Sequence, residues 1–305
     1  MSNIKQFLLD ILVDPVGKKI LVLDKVNNSL KNETETFIIK DNVPIIIVDG
    51  NSNKIVNKSA LHNEMKTEFD YVEHYNKDAE FFNYFEEDEY STTKNERERS
   101  RQSIKKAVPS TTKLLLDIGC GGAWVAEHFT KKNVQVISLD ISTKNPILAL
   151  QKVNSDNHAA VVADVFNLPF AGNTFDTIIA SEVIEHLIDP KLFVTKLIDV
   201  LKPNGKLILM TPYNEKRVYN MCVHCNHPTP SFAHLHTFNE KNIGSYFPST
   251  NIIYKTTSFS NRYFTKLKIY DVLKFLPFNI WFGIDKIVNR ILKKQVLFLI
   301  EITKS

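Results

Sequence analysis

An α/β fold, with a largely parallel sheet covered by helices on both faces, is predicted by three observations. Apolar runs alternate with helical segments from "KLLLDIG" to "GKLILMT", the pattern of strands joined by single right-handed helical crossovers. One run feeds directly into the closely spaced Gly119, Gly121 and Gly122 before a helix, a turn that brings backbone amides close to a ligand. Three apolar runs end on an acid, at Asp117, Asp140 and Asp164, lining the sheet edge where open α/β sheets bind ligands.

The elements follow in order. Residues 1–60 read as a small β-rich module, with the runs "KILVLD" and "TFIIKDNVPIIIVDG" flanking the polar "KVNNSLKNETE" as in a hairpin. From Asn63 to Ala107, aromatics at helical spacing among charges of both signs predict helices with one solvated face. The catalytic-size unit then runs "KLLLDIG", "WVAEHFTKK", "VQVISLD", "PILALQKV", "AAVVAD", "FDTIIAS", "KLFVTKLIDVLK" and "GKLILMT". A Cys/His-rich stretch at 213–238, a helix start at "NEKNIGSYF", a strand "NIIYKTTSFS", an apolar basic helical insertion at 264–294 and a closing strand "QVLFLIEITK" complete the chain.

The 305 residues, 43% hydrophobic and 24% charged, suit one large folded unit with a smaller one and exclude collagen-like or wholly disordered classes. A formal net charge of +4 is too small to imply nucleic acid. Three cysteines and an N-terminus without a cleavable signal pattern predict a reducing, cytoplasmic location. The segment 269–294 is too interrupted by Pro277, Asp285 and basic residues to span a bilayer. It is expected to pack on the sheet as a helix pair, and its composition also suits peripheral contact with an anionic membrane.

The glycine turn alone fits dinucleotide binding as well, but Asp117 inside it would repel a pyrophosphate and attract a cation. Asp140 stands where an acidic strand end accepts ribose hydroxyls. Each of these acids is also a plausible helix cap or turn former on its own; the set of three carries the reading.

With "LDIGCGG", "SLDIS", "ADVFNLPF", "FDTIIASEVIEHLIDP" and "LKPNGKLILMTPYN" in this order, the sequence from about residue 63 to the C-terminus resembles the class I S-adenosylmethionine-dependent methyltransferases. The resemblance implies a Rossmann-like seven-stranded sheet of order 3-2-1-4-5-7-6, strand 7 antiparallel and supplied by "QVLFLIEITK". It places Asp117, Gly119 and Gly121 by the methionine moiety, Asp140 and Ile141 at the ribose, Asp164 and Val165 at the adenine, and Ser181 beside them. Ala123 stands where the family has a third glycine, which implies a slight shift of the loop.

The implied activity is methyl transfer to a small-molecule or lipid-linked acceptor, at oxygen, with a binding protein of the same fold as the alternative. A nicotinamide oxidoreductase is disfavoured by Asp117. If the acceptor is a hydroxyl, a base must take its proton, and His186, His234 and His236 are the candidates. Glu182, Glu185 and His186 would share one helical face; the stretch is similar to that of ubiquinone O-methyltransferases, where two Glu and a His are associated with a divalent ion. Cys222 and Cys225 have the spacing of a zinc knuckle that His227, His234 or His236 would complete. A hydrogen-bonded substrate lid is the other reading of that stretch.

"LLDILVDPVGKK" resembles the opening of a small zinc ribbon, with Asp14 and Gly17 in place of its first two thiols. Such a copy holds no zinc through thiolates and is expected to dock by apolar packing, or to be a plain hairpin extension.

Overall fold

The computed structural model describes residues 3–48, 70–86, 90–223, 226, 228–248 and 252–305. The strands are β1 (Val22–Asp24), β2 (Ser29–Lys31), β3 (Thr36–Lys40), β4 (Val43–Ile46), β5 (Leu114–Ile118), β6 (Gln135–Asp140), β7 (His158–Ala163), β8 (Phe175–Ser181), β9 (Leu201–Pro212), β10 (Tyr219–Met221), β11 (Pro228–Pro230), β12 (Ile252–Asn261) and β13 (Gln295–Lys304). The α-helices are α1 (Gln6–Leu9), α2 (Tyr71–Phe81), α3 (Ser91–Ala107), α4 (Trp124–Phe129), α5 (Lys144–Lys152), α6 (Pro190–Val200), α7 (Arg262–Lys266), α8 (Ile269–Leu273) and α9 (Phe278–Leu292).

From β7 to β12 the main sheet runs β7-β6-β5-β8-β9-β13-β12, which is the expected order 3-2-1-4-5-7-6. Pairing is parallel from β7 to β9, and β13 runs antiparallel to both β9 and β12. The strands bury alternate residues on two faces. Leu116, Ile137, Ile178 and Leu207 join α6 on one side, while Leu115, Val136, Ile179 and Ile208 meet α3, α4 and α9 on the other.

The expected count of seven strands is corrected to eleven, because β4 pairs in parallel with β7 and carries β1, β2 and β3 onto the same sheet. The reason is apolar: Leu8, Leu12, Leu21, Leu30, Phe37 and Ile46 belong to the same core as the central strands. The polar separator of the N-terminal module also holds a strand, β2, whose Leu30 is fully buried. A single large side chain anchors a strand that its neighbours' polarity conceals.

The N-terminal knuckle at residues 14–19 is organised by Asp14. Its Oδ1 accepts from the amides of Val16 (3.1 Å) and Gly17 (2.5 Å), and its Oδ2 from the Lys19 amide (2.7 Å) and Asn32 Nδ2 (3.0 Å). A carboxylate here receives the turn's donors directly.

Two further expectations change. "NEKNIGSYF" forms only a short 3-10 turn, Ile243–Tyr246. The Cys/His-rich stretch is a two-stranded ribbon, with Tyr219, Asn220 and Met221 opposite Pro230, Thr229 and Pro228.

Candidate active site

At the carboxyl end of β5 the chain turns through Gly119 (φ +67°) and Gly121 (φ +41°), a left-handed backbone that glycine adopts without a Cβ clash. Gly122 has ordinary dihedrals, yet a Cβ there would run into the Tyr84 carbonyl oxygen. Ala123 accepts φ +61° as the residue before α4 and is fully buried. Glycine-like geometry is therefore kept at the position where the family's third glycine is missing.

Asp117, Asp140 and Asp164 lie at the carboxyl ends of the adjacent parallel strands β5, β6 and β7. Their environments differ. Asp140 accepts from the Ser142 amide (2.9 Å) and Asn145 Nδ2 (3.2 Å), and burial raises its carboxyl above the ordinary range against these bonds. Asp164 accepts from the Phe166 amide (2.9 Å), Asn167 Nδ2 (3.2 Å) and the Tyr71 hydroxyl (2.7 Å). Asp117 is buried with an Oδ2 that has no partner among the described residues, and burial, then the nearby Asp140 charge, push it well above the usual carboxylate value. Ile141 and Val165 follow the second and third acids, half-buried against the core, and Ser181 ends β8.

Helix α2 covers this edge. Its N-cap is Asp70, which accepts from the Glu73 amide at 2.9 Å. Tyr71 reaches Asp164, Asn76 Oδ1 accepts from the Thr143 amide (3.1 Å), and Lys144 Nζ donates to the Ala79 carbonyl (2.6 Å). Tyr75, one turn after Tyr71, has a buried hydroxyl without a described partner. Burial, then Glu185, are the leading causes that raise this phenol, and its ring meets His186 edge-on with centroids 6.1 Å apart. Sequence reading missed Tyr71 and Tyr75 as site residues. Their i, i+4 spacing was visible, but it signals a packed face equally well.

On the acceptor side, Glu182 does not share a helical face with Glu185 and His186. Its backbone is left-handed (φ +57°), and the turn that follows, Ile184–His186, is a 3-10 turn. The two carboxyls nevertheless lie against each other. Glu182 is exposed as a residue, yet desolvation of its carboxyl against Glu185 raises it to about 7, and burial pushes Glu185 well above its usual value. Glu185 Oε2 accepts from Thr211 Oγ1 (3.0 Å), whereas its buried Oε1 has no described partner. Burial, then His234, lower His186 to about 4.

The ribbon closes over this turn because the Leu235 and His236 amides both donate to the Glu185 carbonyl, at 2.8 and 3.1 Å. That registers His234 beside His186, ring centroids 4.8 Å apart, with His234 Nδ1 2.5 Å from Glu215 Oε2. Glu185, His186 and His234 thus present one ligand atom each within 4.8 Å of one another. Glu215 is a third residue that sequence reading did not single out. His236 faces Phe238 and Tyr246 and is lowered by burial, outside that trio. Cys222 sits at the end of β10, where its carbonyl accepts from the Asn226 amide (2.9 Å); Cys225 and His227 lie outside the described residues.

Residues 116–209, from the first acid's strand through β9, match the family of methyltransferase domains. Over 113 residues the chain is 32% identical to the ubiquinone biosynthesis O-methyltransferase of Cereibacter sphaeroides and 33% identical to that of Brucella anthropi, covering 36% of this chain and 45% of each relative. The match thus spans less than half the length of these relatives. A putative S-adenosylmethionine-dependent methyltransferase from Listeria monocytogenes superposes with a TM-score of 0.51 at 12% identity, over 68% of this chain and 99% of that one. SpnF, a 4+2 cyclase, superposes with a TM-score of 0.50 at 16% identity, over 73% and 86%. These two likenesses show the fold, and the cyclase illustrates that the fold alone does not choose the chemistry.

The strand-end site fits S-adenosylmethionine on one structural test. That molecule carries an ammonium group on its amino-acid tail, and the glycine loop presents a buried carboxyl, Asp117, with an oxygen that the described chain leaves unpartnered. An isolated buried charge is costly and calls for an opposite charge or a donor.

Proposed function

We propose that the protein is an S-adenosylmethionine-dependent methyltransferase that methylates a hydroxyl on a small-molecule or lipid-linked acceptor. The observation that carries this reading is the unpartnered Asp117 oxygen in the glycine turn. When bound, the cofactor supplies an electrophilic methyl group. Asp117 and the Gly119–Gly121 backbone would hold its amino-acid end, Asp140 and Ile141 its ribose, and Asp164 and Val165 its adenine, with Ser181 at the floor.

The transfer needs in-line geometry first and a proton acceptor second. Glu182 joins the three histidines as a candidate base: it is raised to about 7, whereas burial lowers His186 to about 4, so Glu182 is the stronger proton acceptor near neutral pH. Glu182 therefore takes the acceptor's proton in this reading. His186 stays neutral and, with His234, positions the acceptor.

The Glu185, His186 and His234 trio also has the mixed oxygen and nitrogen donors of a divalent-ion site, and the unpartnered Glu185 Oε1 supports that second reading. An ion there would polarise the acceptor hydroxyl. Residues 1–60 act in this scheme as a docked edge of residues 63–305, and the 213–238 ribbon as the acceptor's lid.

Calorimetric titration with S-adenosylhomocysteine tests the reading. Binding that Asp140→Ala abolishes supports it; no binding by the intact protein overturns it. Binding without methyl incorporation into any hydroxyl-bearing lipid or metabolite fraction would favour the binding-protein alternative.

A further inference from the structure

Helix α9 packs Phe278, Trp281 and Phe282 against the core, yet it buries polar groups beside them. Its inward stripe is Trp281, Asp285 and Asn289, at four-residue spacing and all buried. Asp285 accepts from the Tyr270 hydroxyl (2.6 Å), the Ser260 amide (3.0 Å) and Asn289 Nδ2 (2.9 Å), and Asn289 Oδ1 accepts from Asn261 Nδ2 (2.7 Å). The polar side of the helix is thus tied to the end of β12. The spacing of Ile280, Ile284, Ile287 and Ile291 puts all four on a second stripe, and Ile287 and Ile291 are 62% and 74% exposed.

The apolar exposure continues into the preceding elements. Phe275 is 83% exposed, and Val272 and Leu267 are similarly open. Scattered exposed apolar side chains are ordinary, but a set concentrated in one insertion marks a contact surface.

Charge identifies the kind of partner. Residues 262–294 hold eight Lys and Arg against two acids, Asp271 and Asp285, whereas the whole chain is only +4. The rest of the chain is therefore net negative. Of the two acids, Asp285 is buried and bonded, and Asp271 accepts from Asn95 Nδ2 at 2.6 Å. Lys286 and Arg290 flank the isoleucine stripe one helical turn apart, and Lys293 and Lys294 follow its end. A second copy of this surface would oppose cation to cation. No helix among the described residues is long and apolar enough to cross a bilayer, so the arrangement suits a helix lying in the plane of an interface, apolar stripe down and cations at the headgroups.

We propose that the exposed isoleucine stripe of α9, with Phe275 and the surrounding Lys and Arg, is a docking surface for a membrane containing anionic lipid. The inference deepens the lipid-linked side of the proposed function but rests on this surface alone.

Co-sedimentation of the full chain tests it, with vesicles of phosphatidylcholine alone and with phosphatidylglycerol mixed in. The expected result is binding to the anionic vesicles only, weakened by salt. The pair Ile287→Asp and Ile291→Asp should weaken it by more than about a hundredfold, and Lys286→Glu and Arg290→Glu by more than about fivefold per site. Both variants change exposed positions, and retained binding of S-adenosylhomocysteine reports that they fold. Binding to neither vesicle, or equal binding to both, overturns the proposal. So does a dimer in solution that Ile287→Asp dissolves, which would assign the stripe to a second copy. Vesicle binding with no affinity for S-adenosylhomocysteine would overturn the methyltransferase reading and leave this one standing.

Discussion

Asp14 in the N-terminal knuckle and Asp117 in the glycine turn are both 3% exposed, and the chain treats them in opposite ways. Asp14 receives three backbone amides and one side-chain amide. Asp117 is left with an oxygen that has no described partner, and its carboxyl is pushed well above the usual range. A buried carboxylate with every lone pair engaged holds a turn together; one left open costs stability until a ligand supplies the missing donor. Burial alone does not separate a structural acid from a binding one, but the donor inventory does.

The largest effect that can break this comparison is at the knuckle. Asp14→Ala removes the acceptor of four donors, so the expected loss is about 3 kcal/mol, the scale of a disrupted buried network. Urea denaturation should read this as a lower midpoint, while affinity for S-adenosylhomocysteine stays unchanged. A loss of affinity without a loss of stability would place Asp14 on the wrong side of the contrast.

Asp117→Asn should do the reverse. It removes a buried charge with no internal partner, so the free protein keeps its stability or gains up to about 1 kcal/mol, and cofactor affinity falls by about a hundredfold, equivalent to about 2.7 kcal/mol. If the variant unfolds instead, Asp117 has a structural partner and the contrast fails.

The pH dependence sharpens the same point. Asp117 and Asp140 have raised values in the fold, so the native state keeps protons that the unfolded chain has released. Their contribution to stability is complete below the ordinary value of 3.8 and is lost as pH rises through the raised values, at up to about 1.4 kcal/mol per unit for each group. Melting temperature of the ligand-free protein should therefore decline from mildly acidic toward neutral pH. Asp117→Asn should flatten that decline without removing it, because Glu182 and Glu185 are raised as well. An identical slope in the variant would show that Asp117 is not a strained acid.

What the sequence made legible follows the same division. The alternation of central strands and helices, the glycine turn and the strand-end acids were readable because each has a local signature of apolar runs, glycine spacing or an acid after a strand, whereas the order of the strands came only from the family resemblance. The join of β4 to β7 was not, since it pairs Ile45 with Val162 and no local pattern announces a contact over that separation. Tyr75 was hidden because an aromatic at helical spacing reads the same whether it faces a core or a ligand. The segment 269–294 was expected to pack on the sheet, with peripheral membrane contact as the other reading; its spacing does not say which face of α9 turns inward, and the partners of Asp285 and Asn289 on β12 and α8 do.

The smallest expected effect lies at Ala123, where the turn departs from the family pattern. Ala at φ +61° costs roughly 1–2 kcal/mol relative to glycine. Ala123→Gly would relieve that strain, but it would also lose a buried methyl, about 0.8 kcal/mol, and raise the entropy of the unfolded chain by roughly 0.4–1 kcal/mol. These nearly cancel, so the expected change in stability is within about 1 kcal/mol. Affinity for S-adenosylhomocysteine should hold, because the alanine already adopts the dihedrals that a glycine would. A gain in affinity of tenfold or more would mean that the methyl displaces the loop from its binding geometry, and the unpartnered oxygen of Asp117 would then measure a misplaced turn rather than a site prepared for a cation.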